Sequence, residues 1–155
     1  MAKVLFVDDS EKVCLLYRQE FEGDGHEVLV AHDFAEAARL ARCERPDVVV
    51  AEVLPDQDCK ALLGMLQDGL AESSMLLAIN TGYKCLGSHP LLRVASAMVR
   101  KSADLRALRG AVRRLSAKTC SEVRSGESRK ESVQQVQHVH VRGKCNGRSA
   151  RHEGA

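Results

Sequence analysis

The chain has 155 residues, 23 Lys/Arg against 21 Asp/Glu and only 3% aromatic residues, a size suited to one compact domain. Composition and charge divide it at residue 115: the last 40 residues contain no Leu, Ile, Met, Phe, Tyr or Trp and carry 8 Lys/Arg against 4 Asp/Glu, while the first 115 carry 15 against 17. Residues 1–115 therefore read as the domain and 116–155 as a disordered, mildly basic polar tail, without the concentrated basic face that nucleic-acid binding requires.

Lys3–Val7 is predicted as a first strand, followed by a helix with Val13, Leu16, Tyr17 and Phe21 at helical spacing and an end near Gly23 and Gly25. Glu27–Ala31 is a second strand. Asp33 with Glu36 forms a capping-box pattern ahead of Phe34, Ala37, Ala38, Leu40 and Ala41, and Pro46 stops that helix. Asp47–Val53, with Val48, Val49 and Val50 in succession, reads as a central strand buried on both faces. Lys60–Leu70 makes a third helix and Met75–Ile79 a fourth strand. Gly82, Gly87 and Pro90 leave room for a short, weak fourth helix at most. Ala95–Arg100 is a fifth strand, and Ser102 is expected to cap a last helix with Leu105, Leu108, Val112 and Leu115 on one stripe.

Alternating strands and helices predict a doubly wound parallel sheet. The longest apolar run, Met75–Ile79, is far short of the roughly 20 residues of a membrane span, and Asp8 and Asp9 come too early for a signal-peptide core, so a cytoplasmic protein is expected. Six cysteines without a CxxC pair read as reduced, mostly buried thiols. His138, His140 and Cys145 match no zinc spacing and read as solvated tail residues.

In such a sheet, ligands gather beyond the carboxyl ends of the strands. There the first strand presents Asp8 and Asp9, the third Glu52, the fourth Thr81 and the fifth Lys101. Hard carboxylate oxygens suit Mg²⁺, and a hydroxyl with an ammonium suits phosphoryl oxygens. Carboxylates a few ångströms apart repel by about 4 kcal/mol per pair at an effective dielectric of about 20, so the cluster calls for a cation or a proton.

These residues resemble the receiver domain of bacterial two-component response regulators. Lys3-Val-Leu-Phe-Val-Asp-Asp-Ser10 is similar to the family's opening strand and acidic pair, Pro46-Asp-Val-Val-Val-Ala-Glu-Val-Leu-Pro55 to its acceptor strand, Thr81 to its hydroxyl and Val99-Arg-Lys101 to its lysine. The resemblance implies a flavodoxin-like fold with strand order 2-1-3-4-5, Mg²⁺ bound weakly by Asp8, Asp9 and Glu52, and a histidine kinase or downstream effector as partner. It also implies a partner surface on the fourth helix, fifth strand and last helix, around Met98, Arg93, Arg100 and Arg106. Four departures stand out: Glu52 replaces the phosphoacceptor aspartate, the Glu52–Pro55 segment is one residue short, Ser102 replaces the proline after the lysine, and Met98 replaces the aromatic switch. A flavin reading fails because Asp8 and Asp9 would repel a phosphate.

The expectation is a stand-alone signalling module of a phosphorelay, not an enzyme, that engages its partner without phosphorylation through a locked site. The alternatives are a conventional phosphoacceptor receiver and a binding module acting through the basic tail.

Overall fold

The computed structural model describes residues 1–69 and 75–130. Strand β1 (Lys3–Val7) is followed by α1 (Glu11–Gly23), β2 (Glu27–Ala31), α2 (Phe34–Glu44), β3 (Val48–Ala51), α3 (Lys60–Gly69), β4 (Leu76–Thr81), a 3₁₀ turn (Pro90–Arg93), β5 (Ala95–Arg100) and α4 (Arg106–Lys130). All strand pairs are parallel, in the order β2-β1-β3-β4-β5.

Local chemistry accounts for most boundaries. Ser10 Oγ accepts the Val13 amide at the start of α1, and Asp33 accepts the Glu36 amide at 2.7 Å while the Glu36 carboxylate accepts the His32 amide at 2.9 Å, closing the predicted capping box one residue wider than its usual form. Past α1, Gly25 adopts a φ of 89° so that the chain can turn into β2, a conformation glycine takes without steric cost.

The valine run of β3 does what its composition predicts. Val48 and Val50 face Tyr17, Phe21, Leu108 and Val112 beneath α1 and α4, whereas Val49 and Ala51 face Ala38, Leu62 and Leu66 beneath α2 and α3. Full burial of such a side chain stabilises the fold by about 1.5–3 kcal/mol, so β3 is the seam that joins the two layers.

Three expectations are corrected toward the C-terminal side. The crossover from β4 to β5 carries only the four-residue 3₁₀ turn in place of a helix, because Gly82, Gly87 and Pro90 interrupt it. Ser102 does not cap the last helix: its Oγ accepts the Asp104 amide, Asp104 accepts the Arg106 amide, and α4 begins at Arg106. That helix runs past Leu115 to Lys130. Its continuation is anchored at Thr119, which is buried, and Ser116 Oγ bonds back to the Val112 carbonyl at 2.7 Å, so the expected tail does not start at Ser116. The remainder of that tail, 131–155, with His138, His140 and Cys145, lies outside the described residues. Cys14 and Cys59 are buried, but Cys43, Cys85 and Cys120 are exposed, against the expectation of mostly buried thiols. Among the described residues no helix is long and apolar enough to cross a membrane.

Candidate functional site

Two ladder bonds carry the sheet one residue beyond its central strands. The Asp8 amide donates to the Ala31 carbonyl at 3.1 Å and the Glu52 amide to the Val7 carbonyl at 2.9 Å. Both residues are thereby held at the carboxyl edge, beside each other, by the backbone. Asp8, Asp9 and Glu52 bring carboxylate oxygens within 4.8 Å of one another.

Lys101 reaches this cluster from the end of β5, where its amide donates to the Thr81 carbonyl at 2.8 Å. Its Nζ lies 2.6 Å from Asp8 Oδ2 and 2.8 Å from Glu52 Oε1. One ammonium thus bridges two carboxylates. Burial opposes the charge on Lys101, but the hydrogen bonds to Asp8 and Glu52 outweigh it and hold the ammonium above its ordinary value. Asp8 is 2% exposed and fully engaged, since its second oxygen accepts the Ser10 amide at 2.9 Å. Asp9 is exposed, and three carboxylates against one ammonium leave the pocket with net negative charge.

That donor set fits a hard divalent cation: oxygen ligands only, an exposed Asp9, a Glu52 that lines the same concavity, and charge still to be neutralised. Behind it, the Cys14 thiol donates to the Asp8 carbonyl and is pushed up to about 11 by burial and then by the Asp8 charge. Burial likewise raises Tyr17, whose hydroxyl accepts from Asn80 Nδ2 at 2.7 Å. Both groups are inert supports beneath the acids.

Thr81 differs from its expected role. Its hydroxyl is buried, donates to the Val53 carbonyl at 2.9 Å and accepts the Tyr83 amide at 3.2 Å. It ties two loops together in place of presenting a free hydroxyl to the pocket. The concavity at Asp8, Asp9 and Glu52 is also lined by His32, Asp33, Leu54 and Gln57, which sequence reasoning missed. His32 and Asp33 stand directly after β2, so their position at the same sheet edge was readable from the strand assignment.

The remaining expected residues lie apart from the acids. Met98, at the register position of Ile79, is 55% exposed on the face of β5 that the 3₁₀ turn is too short to cover. Arg93 ends that turn and is exposed. Arg100 and Arg106 share a shallow concavity at the exit of β5 with Lys101, Ser102 and Asp104. The Arg106 guanidinium is engaged by Asp104 at 2.8 Å and 2.5 Å, and that hydrogen bonding holds the Asp104 carboxyl down at about 2.

No protein-family model matches the chain. Among curated proteins it is similar to the alkaline phosphatase synthesis transcriptional regulatory protein PhoP of Bacillus subtilis, 40% identical over 65 residues, which are 39% of this chain and 27% of that protein. It is also similar to protein PilH of Pseudomonas aeruginosa, 39% identical over 54 residues, 35% of this chain and 45% of that protein. The matched segments thus span less than half the length of either relative. Among solved structures, a response regulator receiver domain protein from Clostridium thermocellum is 25% identical with a TM-score of 0.62, covering 76% of this chain and 96% of that one. The response regulator TrrA from Thermotoga maritima, solved with Mg²⁺ and BeF, has the same fold at 22% identity and a TM-score of 0.62, over 74% of this chain and 99% of that one. With the sheet order, the acidic edge and the lysine already in place, these likenesses show that the chain has the flavodoxin-like fold of response regulator receiver domains and is similar in sequence, over part of its length, to two curated proteins.

Proposed function

We propose that this chain is a receiver domain that signals as a locked protein-interaction module, engaging a histidine kinase or a downstream effector in the cytoplasm without being phosphorylated. The observation that carries the reading is the bridge of Lys101 Nζ to Asp8 at 2.6 Å and Glu52 at 2.8 Å. Glu52 places a permanent negative charge one methylene further out than an aspartate would, and Lys101 is already committed to it. Phosphoryl transfer to Glu52 would have to break this pair, and in-line attack is sensitive to displacements of about 1 Å. The Thr81 hydroxyl is likewise already used by Val53.

Mg²⁺ binds weakly in this reading, through Asp8, Asp9 and Glu52, and supplies charge neutralisation. The partner surface is the exposed part of β5 and its flanks, Met98 with Arg93 and Arg100, Arg106 being taken up by Asp104. Met98 is flexible and can repack against several partners, and it offers no ring whose rotation would report the state of the pocket. The test is intact-mass measurement after incubation with Mg²⁺ and acetyl phosphate. No added phosphoryl mass is expected; stoichiometric uptake on Glu52 overturns the locked reading in favour of a conventional phosphoacceptor.

A further inference from the structure

Two side chains leave the end of β4 and its crossover to hold the loop between Glu52 and α3. One is Thr81, on the Val53 carbonyl. The other is His89, which no part of the proposed function uses. His89 is 4% exposed and stands just before the 3₁₀ turn. Its Nδ1 accepts the Leu91 amide at 3.3 Å, capping that turn, and its Nε2 lies 3.2 Å from the Gln57 carbonyl.

The partners decide the state of the ring. An amide can only donate, so Nδ1 must carry its lone pair; a carbonyl can only accept, so Nε2 must carry the hydrogen. His89 is therefore neutral, in the Nε2–H tautomer. Gln57 passes the constraint on: its amide donates to the Leu54 carbonyl at 3.2 Å and its side-chain oxygen accepts the Leu54 amide at 3.1 Å. Leu54 and Gln57 are the two members of that turn that line the acidic concavity beside Glu52.

We propose that His89 is a positioning residue, a proton-sensitive clasp that sets the Leu54–Gln57 wall of the acidic site from the β4–β5 crossover. Protonation places a second hydrogen on Nδ1, opposite the Leu91 N–H, so that two donors face each other and the clasp opens at its Leu91 end, leaving the ring held only by Nε2–H on the Gln57 carbonyl. Of the residues that line the concavity beside the ring, Pro55, Asp56, Leu86, Gly87, Ser88 and Pro90, Asp56 is the charged one. From the start of α3, the Cys59 thiol lies against the Leu91 backbone, with its pKa raised by burial and then by Asp58, and stays neutral. The inference holds whether or not Glu52 accepts a phosphoryl group, because it concerns the wall and not the acceptor.

The test is a titration of the ¹⁵N-labelled full chain between about pH 8 and pH 5, the interval in which histidine changes charge. At the upper end the His89 ring should show a protonated Nε2 and a bare Nδ1. The amides of Leu91 and Gln57 should then move with the ring in one transition, followed by Leu54 and Glu52. His89→Asn retains a side-chain acceptor for Leu91 but cannot reach Gln57. It should displace the Leu54, Gln57 and Glu52 amides and abolish their transition, whereas a residue that merely caps the turn would be fully replaced by Asn. His32→Gln removes the imidazole that lines the acidic concavity directly, and the Leu91–Gln57 transition should persist in it. An Nδ1–H tautomer, a Gln57 response that survives His89→Asn, or unmoved Leu54 and Glu52 amides in that variant would overturn the proposal. Should His89→Asn fail to fold, the wild-type tautomer and titration decide alone.

Discussion

The exits of β1 and β3 and the exit of β4 lie along the same sheet edge, yet they are held by different physics. At the first, Asp8 and Glu52 are continued from the parallel ladder by their own amides and drawn together by one ammonium. At the second, a glycine-broken crossover is held by two side-chain-to-backbone bonds, Thr81 to Val53 and His89 to Gln57, and its helix is reduced to one 3₁₀ turn. The lesson is that backbone register and charge place the acids, whereas individual contacts place the wall around them. Substitutions in the two regions should therefore differ in size and in kind.

The largest effect is expected in the core beneath α1 and α4. Phe6, fully buried and stacked on Tyr17 with ring centroids 4.8 Å apart, should cost about 3–5 kcal/mol when truncated to Ala, read as a fall in the urea midpoint. Next comes Lys101→Met. It leaves buried Asp8 facing Glu52 with no cation, a loss of about 1–3 kcal/mol, less than for a fully buried pair because Lys101 is partly exposed. Added Mg²⁺ should restore part of it, and a chemical melt with and without the metal checks both statements.

The same lysine gives a pH dependence of known sign. Its charged form is favoured in the folded state, above the ordinary value of 10.5, so the stability it contributes is complete below 10.5 and is lost as pH rises through the higher folded value. Lys101→Met should flatten the alkaline side of the stability profile, read from chemical melts between about pH 9 and pH 12. Met98→Ala marks the small end of the series. With the residue 55% exposed, the change in stability should stay within about 0.5 kcal/mol, while capture of a binding partner should weaken if β5 is the docking surface.

What could be read in advance follows the same division. Lys3–Val7, Glu27–Ala31 and Ala95–Arg100 were legible as strands to the residue, the first two because valine-bearing apolar runs between turn residues carry their own signal. Asp8, Asp9, Glu52 and Lys101 were legible as one cluster, since strand ends in a parallel sheet share an edge. The direction of the Thr81 hydroxyl was not, because it depends on a carbonyl 28 residues away. The reach of α4 to Lys130 was hidden by composition: past Leu115 its stripe is continued by Thr119, a small polar residue whose burial no hydropathy pattern signals. His89 was hidden for a similar reason, as a lone histidine in a glycine-rich crossover shows nothing of the carbonyl it meets.

The account turns on Glu52 and Lys101 holding the site in one arrangement, and the most direct measurement is the amide spectrum of the full chain with Mg²⁺ and beryllofluoride, compared with Mg²⁺ alone. The expected result is that shifts caused by Mg²⁺ are confined to Asp8, Asp9, Glu52 and their neighbours, and that beryllofluoride adds none at Thr81 or along Ala95–Arg100. A beryllofluoride-dependent shift that spreads from Thr81 to Met98 and Arg100 would show a working switch and contradict the locked site.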